Sequence, residues 1–264
     1  MIIKKHSDSS GKRWYEVRPG VFYKSYTTVL KLMPPTDHFL LWLRTLSKEQ
    51  SDHVLKMAGL SGSKIHHAID LVLNGEEVSP LGFTPEQINK MDLSEPALVE
   101  YLKVPFTEDE DKKMRAFYEF AEMHNLETIA SELVVYSDKI QCAGTLDWYG
   151  YILFEGKKVL CIIDWKTGKS IHASHHRQLG GYMEGFIELI KGELAGYELA
   201  KPKKAFILHL IAGKKRGTYK LIEVKDPKKE YKGFLRVNEE WNEMYPKAAP
   251  AKDYEHLDKY KSLK

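Results

Sequence analysis

Two carboxylates and one amine in the middle of the chain have a spacing that suits chemistry on a phosphodiester. Asp164 and Lys166 follow the apolar, β-prone run 159–163, and Asp147 lies in the preceding apolar segment. Side chains alternate along a strand, so we expect Asp164 and Lys166 to project from one face of a sheet. A carboxylate and an ammonium are costly to bury together unless a further charged object, such as a metal ion and a phosphate, completes the site. The pattern therefore favours metal-assisted cleavage of a phosphodiester.

Each member of this set has a role in such a reaction. A divalent cation held by acidic oxygens neutralises charge, orients a water molecule and lowers its pKa. Asp147 and Asp164 would supply two ligands, and the backbone carbonyl of Trp165 would supply a third. Lys166 would stabilise the charge of the transition state or hold the attacking water. We therefore expect Mg²⁺ or Mn²⁺ at this point of the sheet.

Hydrophobic periodicity predicts the elements that position these residues. From residue 131 onward it predicts strands and helices in the order strand, strand, strand, helix, strand, strand, helix, over 131–137, 141–154, 159–165, 172–191, 204–211, 217–224 and 230–245. The first residues predict a short β element, with strands over 14–17 and 21–23. From there to residue 125 the spacing is mostly helical, with one helix start at Ser25 and one helix end at Gly59. We expect an α/β fold with a mixed central β-sheet flanked by helices and an N-terminal helical part.

The same pattern suggests how the chain is organised. Residues 1–245 are expected to form a single domain, with a helical wall over 25–125 and a catalytic core over 126–225. Residues 76–107 look like an insertion or lid over the site, and residues 246–264 form a charged C-terminal tail.

Composition excludes several classes of protein. The 264 residues, of which 43% are hydrophobic, suffice for a substantial core. No apolar run approaches the roughly 20 residues needed to cross a bilayer, and the first residues lack the apolar stretch of a secretory signal, so we expect a cytoplasmic protein without a membrane partner. Cys142 and Cys161 fall in apolar strands and are expected to be reduced core residues. The chain has no Walker-type phosphate loop, which argues against an ATP-driven motor.

Several residues leave two interpretations open. The net charge is only +3, but lysines and an arginine cluster over 201–216, which suits either a phosphate backbone or an ordinary basic surface. Trp148, Tyr149 and Tyr151 could stack on bases or pack in the sheet. His172, His175 and His176 lack the glutamate of a zinc-binding helix motif, so we expect them near the active site against phosphate or solvent.

Four segments, in order, resemble motifs of the PD-(D/E)XK nuclease superfamily, and specifically its RecB-like branch of phage, mitochondrial and CRISPR-associated exonucleases. GSKIHHAID (62–70) resembles the G-x-x-x-H helix, GTLD (144–147) the G-x-x-D strand, IDWKTGK (163–169) the D-x-K-T-G core and QLGGY (178–182) the Q-x-x-x-Y helix. SYTTVL (25–30) and Trp42 are similar to the N-terminal part of phage and mitochondrial members. The resemblance covers about residues 14–225, and the ordered quartet is far more specific than D-x-K alone.

The resemblance implies a restriction-endonuclease-like core and a role for each matching residue. His66 would be a metal ligand or a phosphate contact, Asp147 and Asp164 would bind the metal, and Lys166 would be the catalytic lysine. Gln178 and Tyr182, one helical turn apart, would contact the scissile strand or brace Lys166. Glu132, read as the start of the strand before GTLD, would add an acidic ligand.

The activity implied by the resemblance is that of a Mg²⁺/Mn²⁺-dependent deoxyribonuclease. It would act as an exonuclease on single-stranded DNA or DNA ends in replication, recombination or repair, in a phage or mobile-element setting. A structure-selective endonuclease and a non-catalytic nucleic-acid-binding subunit that retains the fold are the alternatives. Members with an iron–sulfur clasp use four cysteines, which this chain lacks. Any helicase or recombination partner would be a separate protein.

Overall fold

The computed structural model describes residues 4–7, 11–91, 93, 95–197 and 199–250. Its strands are β1 (Lys4–Ser7), β2 (Arg13–Arg18), β3 (Val21–Ser25), β4 (Glu127–Ser137), β5 (Cys142–Phe154), β6 (Lys157–Lys166), β7 (Lys204–Ala212) and β8 (Gly217–Glu223). Its helices are α1 (Tyr26–Leu30), α2 (Asp37–Leu43), α3 (Lys48–Leu73), α4 (Pro85–Lys90), α5 (Pro96–Leu102), α6 (Glu108–Met123), α7 (Ala173–Lys191) and α8 (Pro227–Met244), with a 3₁₀ turn at Ala195–Tyr197.

The eight strands within the described residues form one mixed sheet. Seven of them follow the order β1-β2-β3-β5-β6-β7-β8, and β4 pairs with β5 off this path. Neighbours are antiparallel except for β3 beside β5 and β6 beside β7, which are parallel. The predicted α/β class, with a mixed sheet flanked by helices, is confirmed.

Strand β5 pairs with three other strands, and the sheet divides along it. We call the point of division, between the β5 residues that pair with β3 and those that pair with β6, the fork. β4 occupies one edge of β5 from Cys142 to Tyr151. A strand has only two edges, so β3 and β6 must share the other one. β3 pairs there with Cys142 and Ala143, and β6 pairs from Trp148 onward. The described register therefore leaves residues 144–147 between the two partners, at the point where β3 and β6 separate.

Helices cover both faces of the sheet. Ile162 and Ile163 are neighbours in β6 but belong to different core clusters, which shows that the sheet separates two cores. α1, α7 and α8 pack on one face, and α3, α5 and α6 contact one another or the sheet on the other. The chain thus places helix side chains on both sides of the fork.

The long helix α3 corrects the prediction that a helix ends at Gly59. It begins after Ser47, whose hydroxyl accepts the N–H of Gln50 while the Gln50 side chain accepts the N–H of Ser47, and it continues to Leu73. A glycine inside a helix costs only about 1 kcal/mol relative to alanine. The capped start and the burial of Ile65 and Ile69 on the same helix outweigh that cost.

The remaining boundaries differ in detail from the sequence prediction. Residues 25–125 hold α1 to α6, and residues 126–225 hold β4 to β8 with α7. The predicted short β element is confirmed as β2 and β3, which together with β1 join the same sheet. The segment 76–107 contains α4 and α5, and Leu98 and Leu102 pack into the core cluster of α3, so it forms part of the helical layer. Of the expected charged tail, residues 251–264 lie outside the described residues.

Two further expectations concern cysteines and membrane spans. Cys142 and Cys161 are free and buried, as predicted, and burial raises the pKa of the Cys142 thiol to about 12. No described helix has both the length and the apolar character that a bilayer span requires.

Candidate active site

The fork in β5 brings the predicted carboxylates together. Asp147 is the last residue before β5 begins to pair with β6, at Trp148 opposite Ile163. β6 then continues through Asp164 to Lys166 beside β7 alone. The N–H of Trp165 donates to Asp147 Oδ2 at 2.7 Å. The carboxylate of Asp147 therefore bridges the two strands where their main chains diverge.

Asp164 and Lys166 form the ion pair that the strand period predicts. Lys166 Nζ contacts Asp164 Oδ2, and the Asp164 side chain is 1% exposed while that of Lys166 is 18% exposed. Asp164 Oδ2 is buried, and the Lys166 ammonium is the group that contacts it. Burial raises the pKa of Asp164 to about 6; Lys166 opposes the shift and the adjacent Asp147 carboxylate adds to it. The carboxylate is therefore held in a place where more positive charge would stabilise it.

A second group of potential ligands adjoins this pair. One ligand atom each from His66, Glu132 and Asp147 lies within 4.8 Å of the others, and His66 Nδ1 is 3.4 Å from Asp147 Oδ1. Burial lowers the pKa of His66, but Asp147 and Glu132 outweigh burial and the net pKa is raised. Burial raises the pKa of Asp147, but His66, Lys166 and the N–H of Trp165 lower it by more, so the net pKa of Asp147 is lowered. The group attracts positive charge to one spot.

Glu132 reaches this spot through a distorted strand. β4 begins at Glu127, so the expectation that Glu132 starts the strand is wrong. Glu132 lies between the pairs Ser131–Trp148 and Leu133–Leu146, which places it across from Asp147. Its φ is +48°, a left-handed value that is rare for a residue other than glycine and that often marks a functional site.

The donor set fits a divalent cation. Carboxylate oxygens and one imidazole are ligands that Mg²⁺ and Mn²⁺ accept. In a strand, the N–H and C=O of one residue leave by the same edge. Since the N–H of Trp165 reaches Asp147, we expect its carbonyl to be directed toward the fork as well. The buried Asp164 Oδ2, which contacts Lys166 Nζ, adds a further oxygen.

Helix α7 orients Asp164 from the face of the sheet that also carries α1 and α8. Gln178 Nε2 donates to Asp164 Oδ1 at 3.2 Å and to the Tyr182 hydroxyl at 2.8 Å. A Cβ at Gly144 would lie 2.5 Å from the Tyr182 ring, so the glycine before the fork allows this packing. Gln178 therefore contacts Asp164, the ion-pair partner of Lys166, and the expectation that Gln178 and Tyr182 contact the scissile strand or brace Lys166 stays a prediction.

Helix α3 positions His66 from the other face. A Cβ at Gly62 would lie 3.1 Å from Thr167 Oγ1, so α3 approaches the turn after β6 closely. One helical turn beyond His66, Asp70 Oδ1 accepts the hydroxyl of Ser131 at 2.6 Å. That bond ties α3 to β4 beside Glu132.

A group of histidines surrounds Lys166. The N–H of His172 donates to His175 Nδ1 at 3.2 Å, and His209 Nε2 lies 2.7 Å from the carbonyl oxygen of Gly168. Burial, together with Lys166 and the other histidines, lowers the pKa of His175 to about 3, so this imidazole is neutral. His209 was not predicted, because it meets Lys166 only through the parallel pairing of β6 and β7, which local sequence patterns do not reveal.

The structure also bears on two interpretations that the sequence left open, those of the aromatic residues of β5 and of the basic turn 213–217. Trp148 and Tyr149 are buried, so packing is confirmed and stacking on bases is wrong for both. Tyr151 is partly buried and packs against the core, which confirms packing for it as well. The basic turn 213–217 shares a surface cavity of about 440 Å³ with α6, which brings acidic and basic side chains to one surface, namely Glu108, Asp111, Glu119, Lys112, Arg115, Lys215 and Arg216. The turn is therefore not a purely basic patch.

Comparison with known proteins adds no relative: no family model matches the chain, and no curated protein matches it. The function is therefore inferred from the geometry of the fork and from the ordered motifs.

Proposed function

We propose that the chain is a Mg²⁺- or Mn²⁺-dependent deoxyribonuclease with a restriction-endonuclease-like core, of the RecB-like PD-(D/E)XK type. The observation that carries the proposal is the convergence of His66, Glu132 and Asp147, with ligand atoms within 4.8 Å of one another, beside the Asp164–Lys166 pair. The four ordered motifs supply the class of reaction, since each of them contributes a residue at or beside the fork.

The residues of the fork divide the work of hydrolysis. A divalent cation, when bound, neutralises phosphate charge and lowers the pKa of a water molecule. His66, Glu132, Asp147, Asp164 and the carbonyl of Trp165 would hold it. Gln178 donates a hydrogen bond to Asp164 Oδ1 and so orients the carboxylate. At metal sites, such hydrogen bonds to a ligating side chain hold the ligand in place.

Lys166 supplies the positive charge that meets the substrate. Its ammonium is partly exposed, whereas its partner Asp164 is buried, so the ammonium forms the outer side of the pair. An ammonium fixed at this position stabilises the charge that develops on the transferred phosphoryl group. The neutral His175 adds no competing positive charge to Lys166.

The preferred substrate is single-stranded DNA or a DNA end, with exonucleolytic cleavage, and this preference follows from the resemblance alone. The setting would be intracellular, in replication, recombination or repair of a phage or mobile element, with any helicase or recombination partner as a separate protein. The runners-up are a structure-selective endonuclease and a non-catalytic subunit that binds nucleic acid.

Cleavage of labelled oligonucleotides tests the proposal. We expect single strands labelled at the 5′ or the 3′ end to be shortened with Mg²⁺ or Mn²⁺ and to stay intact with EDTA. Lys166→Met should slow cleavage by about 10²-fold or more, because the transition-state charge loses its partner. Asp52→Asn, on the exposed start of α3, is the control and should cut at the wild-type rate.

Each outcome points to one reading. Stepwise shortening from one end supports an exonuclease, and internal products support the endonuclease. Binding without cleavage under either metal contradicts the enzyme and favours the binding subunit. Equal cleavage by wild type and Lys166→Met would also overturn the assignment.

A further inference from the structure

The first turn of α7 carries an imidazole whose proton is fixed in place by the main chain. The N–H of His172, the residue that precedes the helix, donates to His175 Nδ1 at 3.2 Å. A main-chain N–H can only donate, so Nδ1 is a ring nitrogen without a proton. A neutral imidazole has a single N–H group, and His175 therefore carries its proton on Nε2.

The Nε2–H group of His175 is available to a ligand. Among the described residues it has no hydrogen-bond partner, and it is not one of the buried polar atoms that lack one. The side chain as a whole is partly buried. A neutral N–H group of this kind can donate to an anion without adding a second positive charge to the site.

His175 faces the part of β6 that carries Lys166. β6 and β7 are parallel neighbours joined by α7, so α7 runs antiparallel to both. Gln178 reaches Asp164, and three residues earlier on the same face of α7 His175 therefore lies toward the end of β6, beyond Asp164. Burial and the nearby Lys166 ammonium lower the pKa of His175 to about 3, in keeping with this position.

Capping of the helix does not by itself require a histidine. At the third residue of α3 and of α4, the corresponding main-chain N–H is accepted by Gln50 and Gln87, and at the third residue of α6 it is accepted by Glu110. Glutamine and glutamate are the usual residues at this position. An imidazole with its N–H directed away from the cap, beside Lys166, suits a further task that involves an anion.

We propose that His175 is a further catalytic residue, whose Nε2–H donates a hydrogen bond to a non-bridging oxygen of the scissile phosphate beside Lys166. The proposal rests on the proposed nuclease function and adds a residue that lies outside all four motifs. A donor that is fixed before the reaction stabilises the charge that develops on the phosphoryl oxygens without reorganisation. Because the donor is neutral, it does not compete with Lys166 for the carboxylate of Asp164.

Two substitutions at His175 separate the donor from the helix cap. His175→Leu removes both and should lower kcat for cleavage of a single-stranded oligonucleotide with Mg²⁺ by at least about tenfold, with KM within about twofold of wild type. His175→Gln should keep kcat within about threefold of wild type, because its Oε1 can accept the N–H of His172, as Gln50 does in α3, while its Nε2 donates.

Gln50→Leu is the matched control for loss of the cap. It removes the corresponding acceptor from the start of α3, at an exposed position. Gln50→Leu and His175→Leu should lower the midpoint of urea unfolding to a similar extent, but Gln50→Leu should cleave at the wild-type rate. An equal fall of kcat in both variants would assign the effect to the lost cap and overturn the role of His175 as a donor.

Nitrogen NMR of the wild-type chain, labelled in histidine, tests the donor without any substitution. At about pH 6, where an ordinary histidine is largely protonated, the ring of His175 should be neutral with its proton on Nε2. A doubly protonated ring, or a proton on Nδ1, would contradict the proposal.

The outcomes separate His175 from the proposed function. A wild-type chain that cleaves DNA, with His175→Leu cleaving at the same rate, overturns the role of His175 and leaves the nuclease standing. So does an equal loss in His175→Leu and His175→Gln, since glutamine keeps a donor. A raised KM with unchanged kcat in His175→Leu would make the residue a binding contact and overturn its catalytic role. A wild-type chain that cleaves no DNA with either metal overturns both proposals.

Discussion

At the scale of single residues, the fork brings together carboxylates whose burial destabilises the folded chain when no cation is bound. Asp164 is the clearest case, because its carboxylate is buried beside a second carboxylate and its pKa rises to about 6 from an ordinary value of 3.8. Between these two pH values the folded chain binds more protons than the unfolded chain. The free energy of unfolding therefore falls as pH rises through this range, and the loss is complete above the folded pKa.

Replacing Asp164 by asparagine should therefore stabilise the metal-free protein while abolishing cleavage. The expected gain in unfolding free energy is up to about 3 kcal/mol above pH 7 and should vanish below about pH 3, where the wild-type carboxyl is protonated in both states. Urea unfolding in EDTA at several pH values measures it. Asp111→Asn, on the surface of α6, should show no such pH-dependent gain. A gain that is equal at pH 4 and pH 8 would contradict the assignment of the effect to ionisation of Asp164.

At the scale of elements, local signals predicted most strands and helices but not the features that assemble the site. The strand period around Asp164 and Lys166 correctly placed both on one face. The φ of Glu132 and the meeting of Lys166 with His209 depend on contacts between distant segments, so residue spacing carries no trace of them. Gly59 led to a wrong prediction of a helix end, because a glycine ends a helix only where tertiary packing does not favour its continuation.

The helix α3 is anchored by a buried ion pair that local patterns also did not indicate. Lys64 Nζ donates to the carbonyl oxygens of Val104 at 2.9 Å and Pro105 at 3.0 Å, and it lies 3.4 Å from Glu110 Oε2. Both charged side chains are fully buried. Glu110 also accepts the Tyr101 hydroxyl at 2.8 Å. This network holds the helix that carries His66 against the start of α6.

Lys64→Met should lower the free energy of unfolding by about 3–5 kcal/mol, because Glu110 would be left buried without its cation. Chemical denaturation at neutral pH measures the change. The double variant Lys64→Met with Glu110→Leu should recover part of the loss, since no unpaired charge remains. Lys56→Met, exposed on the same helix, should change little. Additive losses in the double variant would show that the two side chains act independently.

At the scale of the whole molecule, the fork joins the two cores. α3 contributes His66 from one side, α7 contributes Gln178 from the other, and the sheet supplies the carboxylates between them. A ligand that bridges these elements adds contacts between the helical layers on the two faces of the sheet. Binding to the folded state alone raises stability by mass action.

Mg²⁺ and Mn²⁺ should therefore raise the melting temperature, even without substrate. At a metal concentration of about 100 times Kd, the gain is about 2.7 kcal/mol. Asp147→Asn should lose this gain but keep the fold, because the asparagine oxygen can still accept the N–H of Trp165. Differential scanning calorimetry with and without metal compares the two chains. An equal metal-dependent shift in Asp147→Asn would place the cation elsewhere.

The pairing of β5 with three other strands has a consequence for the newly made chain. The side chains of the fork come from α3, β4, β5 and β6, and they meet only once β6 leaves β5 to align with β7. A partly folded intermediate that lacks this alignment has the same amino acids but no place for a cation. The proposed hydrolytic activity therefore requires the complete sheet, and we expect a polypeptide without this alignment to be inactive.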